Sequence, residues 1–259
     1  IKNTIIGGLA WDQLADADFN VAVGYGSLST DDLGNKTTAV GAFALEAQNY
    51  ATATDSHNTA VGYIAGGAIT TGEQNTLIGS LAGDALTDAD KNVAVGRSAL
   101  SSDTLGSKST AIGYSALDTQ NFTTATDSHN TAVGHLAGLS VTTGRNNTLM
   151  GSGSGDALTT ANSNVAIGLF ALSTDTKGDN SVAIGENALL TQNFTTSTDS
   201  YNTAVGSNAG RAITTGVENT IVGSLAGDAL TDADFNTAIG FSALTADTLG
   251  SRSVAVGTA

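Results

Sequence analysis

A glycine closes the same short phrase again and again along this chain, and the fixed spacing of those glycines constrains the fold more than any other feature. The phrase is Asn3-Thr4-Ile5-Ile6-Gly7, then Asn20-Val21-Ala22-Val23-Gly24, Asn58-Thr59-Ala60-Val61-Gly62, Ser181-Val182-Ala183-Ile184-Gly185 and Ser253-Val254-Ala255-Val256-Gly257. Between the first and last of these the closing residues are Gly24, Gly41, Gly62, Gly79, Gly96, Gly113, Gly134, Gly151, Gly168, Gly185, Gly206, Gly223 and Gly240. Their spacings run 17, 17, 21 and 17 residues and then repeat. Three short units and one long unit make a super-period of 72 residues, so Gly24, Gly96, Gly168 and Gly240 are equivalent, and the 259 residues hold fifteen units with the last truncated.

A unit of this size cannot bury a hydrophobic face alone, so neighbours must stack and share a core. The chain is therefore expected to be all-β, a solenoid forming one repetitive segment over 1–259. Val, Ile or Met precedes each phrase Gly, and the residue before that is mostly Ala. Alternation over four or five residues rich in β-branched side chains, bounded by Asn or Ser and Gly, is a strand pattern; a helical period is lacking. The alternation leaves open which face of the phrase turns inward, with the branched residues favoured for the interior. A second segment after each Gly, as in Gly41-Ala42-Phe43-Ala44-Leu45 and Gly96-Arg97-Ser98-Ala99-Leu100, is expected to give each coil its second strand. Ten residues past many phrase glycines stands another (Gly34, Gly72, Gly106, Gly144, Gly178, Gly216, Gly250), expected to supply a positive φ at a corner. The phrase glycines themselves are read as structural turn residues at a tight bend, with no part in catalysis.

Composition removes several classes. There are no cysteines, so disulfide scaffolds and thiolate zinc sites are excluded, and 24 acidic against 9 basic residues give a net charge of -15, unsuited to a nucleic-acid binder. No run approaches the roughly 20 apolar residues that span a bilayer. The opening Ile1-Lys2-Asn3, with neither Met nor a signal peptide, leads to the expectation of a piece of a longer fibrous protein. Aromatics are only 5%, so the core must be built from small aliphatic residues and must be thin.

The phrases Asn-Thr-Ala-Val-Gly and Ser-Val-Ala-Ile-Gly, followed by a small residue and often Leu, resemble the head repeats of YadA-type trimeric autotransporter adhesins and are similar to repeats of bacteriophage tail fibres. The resemblance runs from Asn3 to Gly257. It implies a left-handed parallel β-roll wound into a homotrimer, extracellular on a bacterial surface or a virion tail, whose work is attachment to a host glycan or protein receptor. These coils are longer than the usual head repeat of that family. Burial independently favours an oligomer, because a thin coil with two apolar faces has no second layer to cover the outer one. Fifteen coils at about 4.8 Å each give a rod roughly 70 Å long.

Candidate sites are weighed against the repeat. The pairs Asp16/Asp18, Asp88/Asp90 and Asp232/Asp234 suggest calcium ligands, but the third super-repeat carries Ala161-Asn162 there, so turn formation is the better reading. His57 and His129 are equivalent positions whose third counterpart is Tyr201, which argues against a metal and for exposed loop residues. Gly151-Ser152-Gly153-Ser154-Gly155 resembles a phosphate loop in isolation but aligns with Gly79-Ser80-Leu81-Ala82-Gly83, a structural segment. No nucleophile-elbow motif is present, and neither catalysis nor a cofactor is expected. The extra four residues of the long coils lie within 48–57, 120–129 and 192–201, and insertions in a solenoid go to loops that often bind. Tyr50, Phe122 and Phe194 in these loops either touch a glycan or neighbouring chain, or plug the loop against the roll. With His57, His129 and Tyr201 they are the candidate receptor contacts. A Thr column (Thr4, Thr38, Thr59, Thr76, Thr110, Thr131) leaves an ice-binding solenoid as one alternative, and an ion-stabilised filament without receptor binding as another.

Overall fold

Three-residue strands form where the phrase alternates, because β-branched residues on either side of a small one suit an extended backbone. The structure, a computed structural model, describes residues 2–13 and 15–258. It falls into two compact units, Ile1–His129 and Asn130–Ala259. In the first, the strands Thr4–Ile6, Val21–Val23, Thr38–Val40, Thr59–Val61, Thr76–Ile78, Val93–Val95 and Thr110–Ile112 pair in parallel, each with the next. The second repeats this with Thr131–Val133, Thr148–Met150, Val165–Ile167, Val182–Ile184, Thr203–Val205, Thr220–Val222, Thr237–Ile239 and Val254–Val256. The register never slips: Val23 faces Val40, and Ile167 faces Ile184. The chain is thus an all-β parallel solenoid of seven coils in one unit and eight in the other, with no helix among the described residues.

The face of the phrase that turns inward is the opposite of the one expected. Ala22, Ala39, Ala60, Ala94 and their equivalents as far as Ala238 are fully buried, while the flanking Val21 and Val23 point outward and are half-buried. The reason is volume. The interior is filled by a Leu four residues past the phrase Gly, such as Leu28, Leu45 and Leu100, which leaves room for only a methyl from the strand. Where the strand supplies Leu77, Leu149 or Ile221 instead, that fourth residue is Gly83, Gly155 or Gly227. A Cβ on Gly83 would come within 2.8 Å of both Leu77 and Leu86. In these coils the Gly makes room for the larger strand residue; in the coils of Ala60, Ala132 and Ala204 both positions are small, and a Cβ on Gly66 would meet Leu45 and Leu77 of the neighbouring coils.

The segment after each Gly is not a second strand. Its second and fourth residues often take left-handed backbone angles, as in Phe43 (φ 59°) and Leu45 (φ 49°), so it climbs through turns and bonds to the next coil without β geometry. Among the described residues, short second strands occur where a short coil meets a long one: Gly34–Asn35 with Thr54–Asp55, Gly106–Ser107 with Thr126–Asp127, and Gly178–Asp179 with Thr198–Asp199.

At Gly24 the phrase glycine has φ +133°, and an added Cβ would stand 2.5 Å from the Gly41 carbonyl oxygen one coil along. Both conformation and space demand glycine. Gly34 differs from expectation: its φ lies outside the left-handed range, and it is required because a Cβ would collide with the Asp31 carboxylate. The positive φ of that corner falls two residues later, at Lys36 (57°).

A buried asparagine spine runs up each unit. Asn58, Asn75 and Asn92 each accept, through Oδ1, the backbone N–H of the equivalent residue one coil on, at 2.8–2.9 Å. Their Nδ2 atoms donate to the carbonyls of Gly72, Ala89 and Gly106 at 2.7–2.9 Å. Backbone groups left over between strands are thereby satisfied inside the roll.

Candidate functional site

Three surfaces of the coil carry the residues of interest: the outer strand face, the loops of the long coils, and a polar pocket inside the roll beneath each loop.

The outer face follows from the inverted packing. With Ala inside, the residue before each Gly points out, and in the first unit Val23, Val40, Val61, Ile78, Val95 and Ile112 form one column. Val61 is 36% and Ile78 40% exposed. The column holds only Val, Ile or Met in both units. Around the bend, Tyr25, Phe43 and Tyr63 stack edge to face at centroid distances of 5.3 and 6.4 Å.

The long-coil loops separate the six candidate contacts into two groups. Tyr50, Phe122 and Phe194 are plugs, 4–6% exposed. The Tyr50 hydroxyl donates to the Gly72 carbonyl at 2.8 Å and accepts from Asn58 Nδ2 at 3.3 Å. Burial, with Asp31 and Glu73 nearby, pushes its ionisation well above the ordinary range. These rings are turned into the roll and not toward solvent. The reason is the length of the insertion, which has to fold back over the coil and needs an anchor in the core. His57, His129 and Tyr201 are exposed, each at positive φ (52°, 51° and 48°) just before the spine asparagine. Beside them Lys36 pairs with Asp55 at 2.5 Å, Lys108 with Asp127, and Asn180 donates to Asp199 at 2.7 Å. Hydrogen bonds from the lysines hold both aspartates below the usual carboxylate range. The outermost residues of the loops, 51–53, 123–125 and 195–197, are exposed Ala, Thr and Ser.

The aspartate pairs act as turn acceptors. Asp88 takes a bond from Thr71 Oγ1 at 2.6 Å and Asp90 from the Glu73 N–H at 2.8 Å; Asp234 likewise takes the Val217 N–H at 2.8 Å. Among the described residues no three His, Asp or Glu side chains converge as metal ligands.

The interior pocket had no counterpart among the expected sites. Asp31, Asp103 and Asp175, seven residues past their phrase glycines, are fully buried, as are Gln48, Gln120 and Gln192 in the next coil. Gln48 Nε2 donates to Asp31 Oδ2 at 2.7 Å, and the equivalent Gln120–Asp103 and Gln192–Asp175 bonds are 2.6 Å. The same nitrogens reach Thr37 Oγ1 at 3.1 Å and the Oγ atoms of Ser109 and Ser181 at 2.8 Å. The signal was legible: acid and amide recur every 72 residues at a column that is aliphatic in the other coils.

No protein-family model, curated protein or solved structure matches this chain. The class it belongs to is defined by fold alone, that of parallel β-solenoid repeat proteins.

Proposed function

We propose that this chain is a length of a homotrimeric attachment fibre, extracellular on a bacterial surface or a phage tail, that presents its long-coil loops to a host glycan or protein. The observation that carries this reading is the outward column of Val, Ile and Met that precedes the phrase glycines. A contiguous apolar row costs free energy in water and marks a surface that another chain covers. Threefold association would set identical coils level with one another, each column meeting its own copies. The exposed tips of the long loops, with His57, His129 and Tyr201 beside them, recur four coils apart and would then stand on the outside as a repeated contact surface. A charge of -15 per chain keeps such a fibre from adhering indiscriminately to anionic envelopes, so attachment is selective.

Sedimentation equilibrium tests the assembly. The expected result is a trimer that dissociates in the double variant Val61→Lys, Ile78→Lys; a wild-type chain that is a stable monomer sinks the proposal. Scattering from the trimer should report a rod roughly 70 Å long. Binding to host surface glycans that survives Phe122→Leu and fails when residues 123–125 and 195–197 are replaced by glycine would place the contact on the loop tips.

A further inference from the structure

We propose that the three interior pockets close covalent cross-links: Thr37 Oγ1 forms an ester with the side-chain carbonyl carbon of Gln48, Ser109 with Gln120, and Ser181 with Gln192, each releasing ammonia. Hydroxyl, amide and acid meet in each pocket, and a donor to the amide carbonyl stands in the first and third. The hydroxyl is the nucleophile; its oxygen accepts a hydrogen bond from Nε2 of the amide at 2.8–3.1 Å, which keeps it beside the nitrogen that leaves and one bond from the carbon it attacks. A second hydroxyl touches it: Ser56 lies 2.5 Å from Thr37, Ser200 2.5 Å from Ser181, and Ser128 contacts Ser109. The amide carbonyl is polarised from its far side, since Gln48 Oε1 accepts from Asn58 Nδ2 and Gln192 Oε1 from Asn202 Nδ2, both at 2.9 Å. A donor so placed stabilises the oxyanion of a tetrahedral intermediate. The aspartate accepts a hydrogen bond from the nitrogen that leaves. In the second and third pockets it is itself clamped by the N–H groups of Gly106 and Phe122, and of Gly178 and Phe194, at 3.0–3.1 Å.

The step balances without any outside reagent. The hydroxyl oxygen adds to Cδ, its proton passes to Nε2, and the aspartate carboxylate offsets the positive charge that develops on that nitrogen. The C–N bond then breaks, ammonia departs, and the C–O bond of the ester remains. Holding the partners in contact makes the reaction unimolecular, which can replace a large part of the barrier to an otherwise slow acyl transfer. Loss of ammonia drives it forward. All nine side chains of the three triads are fully buried, so water that would hydrolyse the product is kept out.

A second observation comes from the repeat. The residue that opens the phrase is Asn in the coils that build the spine, yet it becomes Thr37, Ser109 or Ser181 where a glutamine lies eleven residues ahead inside the same coil. Hydroxyl and amide appear together, once per super-repeat, in the coil whose four extra residues leave the stack. The bond would tie that long coil shut at its base.

Intact mass spectrometry of the purified, folded chain after incubation at neutral pH tests this directly. The expected mass is below that of the sequence by one ammonia per closed bond. Tryptic peptides 37–91, 109–145 and 178–211 should each be lighter by one ammonia and give no backbone fragments between the joined residues. Hydroxylamine should open the bond and leave a hydroxamate on the glutamine. In Ser109→Ala the middle peptide should keep its full mass while the outer two still lose ammonia, which also reports that the variant folded. Asp103→Ala should retard closure of the middle bond alone. A wild-type chain that keeps its full mass, or ammonia loss mapped to other residues, overturns the proposal.

Discussion

The Oδ1 atom of Asn75 accepts the backbone N–H of Asn92 at 2.9 Å, one coil away, while its Nδ2 donates to the Ala89 carbonyl at 2.7 Å. One buried side chain thus satisfies two backbone groups that water cannot reach. Asn75→Ala strands both, and an unsatisfied buried group costs about 1–3 kcal/mol, so the loss should be roughly 2–6 kcal/mol. A lower urea midpoint together with rapid hydrogen exchange at the Asn92 amide is the expected outcome; unchanged protection there would show that the spine contributes little.

Glycine is required in some places along this chain and merely present in others. Gly24→Ala demands both φ near +133° and a Cβ 2.5 Å from the Gly41 carbonyl oxygen. The backbone strain alone is of order 1–3 kcal/mol, and the collision adds to it. At Gly8 an added Cβ meets only the Tyr25 ring at 3.6 Å, an ordinary contact. Thermal melts should show a drop for Gly24→Ala and almost none for Gly8→Ala.

Stability should rise as the solution is acidified from neutrality. Burial raises the carboxyls of Asp31, Asp84 and Asp156 above the ordinary value of 3.8, so the folded state holds protons that the unfolded state has released. The stability they contribute is complete below 3.8 and is lost as pH rises through their folded values. Asp55 and Asp127, lowered by Lys36 and Lys108, work in the other direction and only below 3.8. The melting temperature is therefore expected to peak close to the ordinary carboxylate value. High salt, which screens general repulsion, should leave the trend in place, and Asp84→Asn with Asp156→Asn should flatten it. A melting temperature that falls steadily from pH 7 to 5 would contradict the assignment.

Glycine spacing made the period, the stacking and the strand legible in the sequence, because a backbone that must pass close to its own next coil tolerates no side chain there. Which face of the strand turns inward was not legible from the phrase alone: Val and Ala are both apolar, and alternation is symmetric under exchange of the two faces. The answer lay in a correlation between distant columns. Leu77, Leu149 and Ile221 coincide with Gly83, Gly155 and Gly227, where an added Cβ would meet the strand residue, so both columns face the interior. The left-handed residues after each Gly escaped for a different reason. Leu45, Leu100 and Leu117 are poor choices for positive φ when judged locally, and burial of a large side chain overrides that cost.

The two groups of loop residues should respond differently to truncation. Phe122 is 6% exposed, and removing a buried aromatic ring costs about 3–5 kcal/mol through lost transfer free energy and the cavity left behind. Tyr50→Phe leaves the ring but deprives the Gly72 carbonyl of a donor, although Asn58 Nδ2 still reaches it at 2.7 Å, so the cost should be nearer 1 kcal/mol. His129→Ala removes an exposed side chain and should change stability by less than about 0.5 kcal/mol. If attachment depends on the exposed set, His57→Ala, His129→Ala and Tyr201→Ala weaken binding without moving the melt. Phe122→Ala would reduce both, because the loop it anchors carries the exposed threonines. Melting curves and surface-binding isotherms recorded on the same four variants separate anchor from contact. A binding loss that tracks melting temperature across the whole set would mean that these loops serve the fold alone.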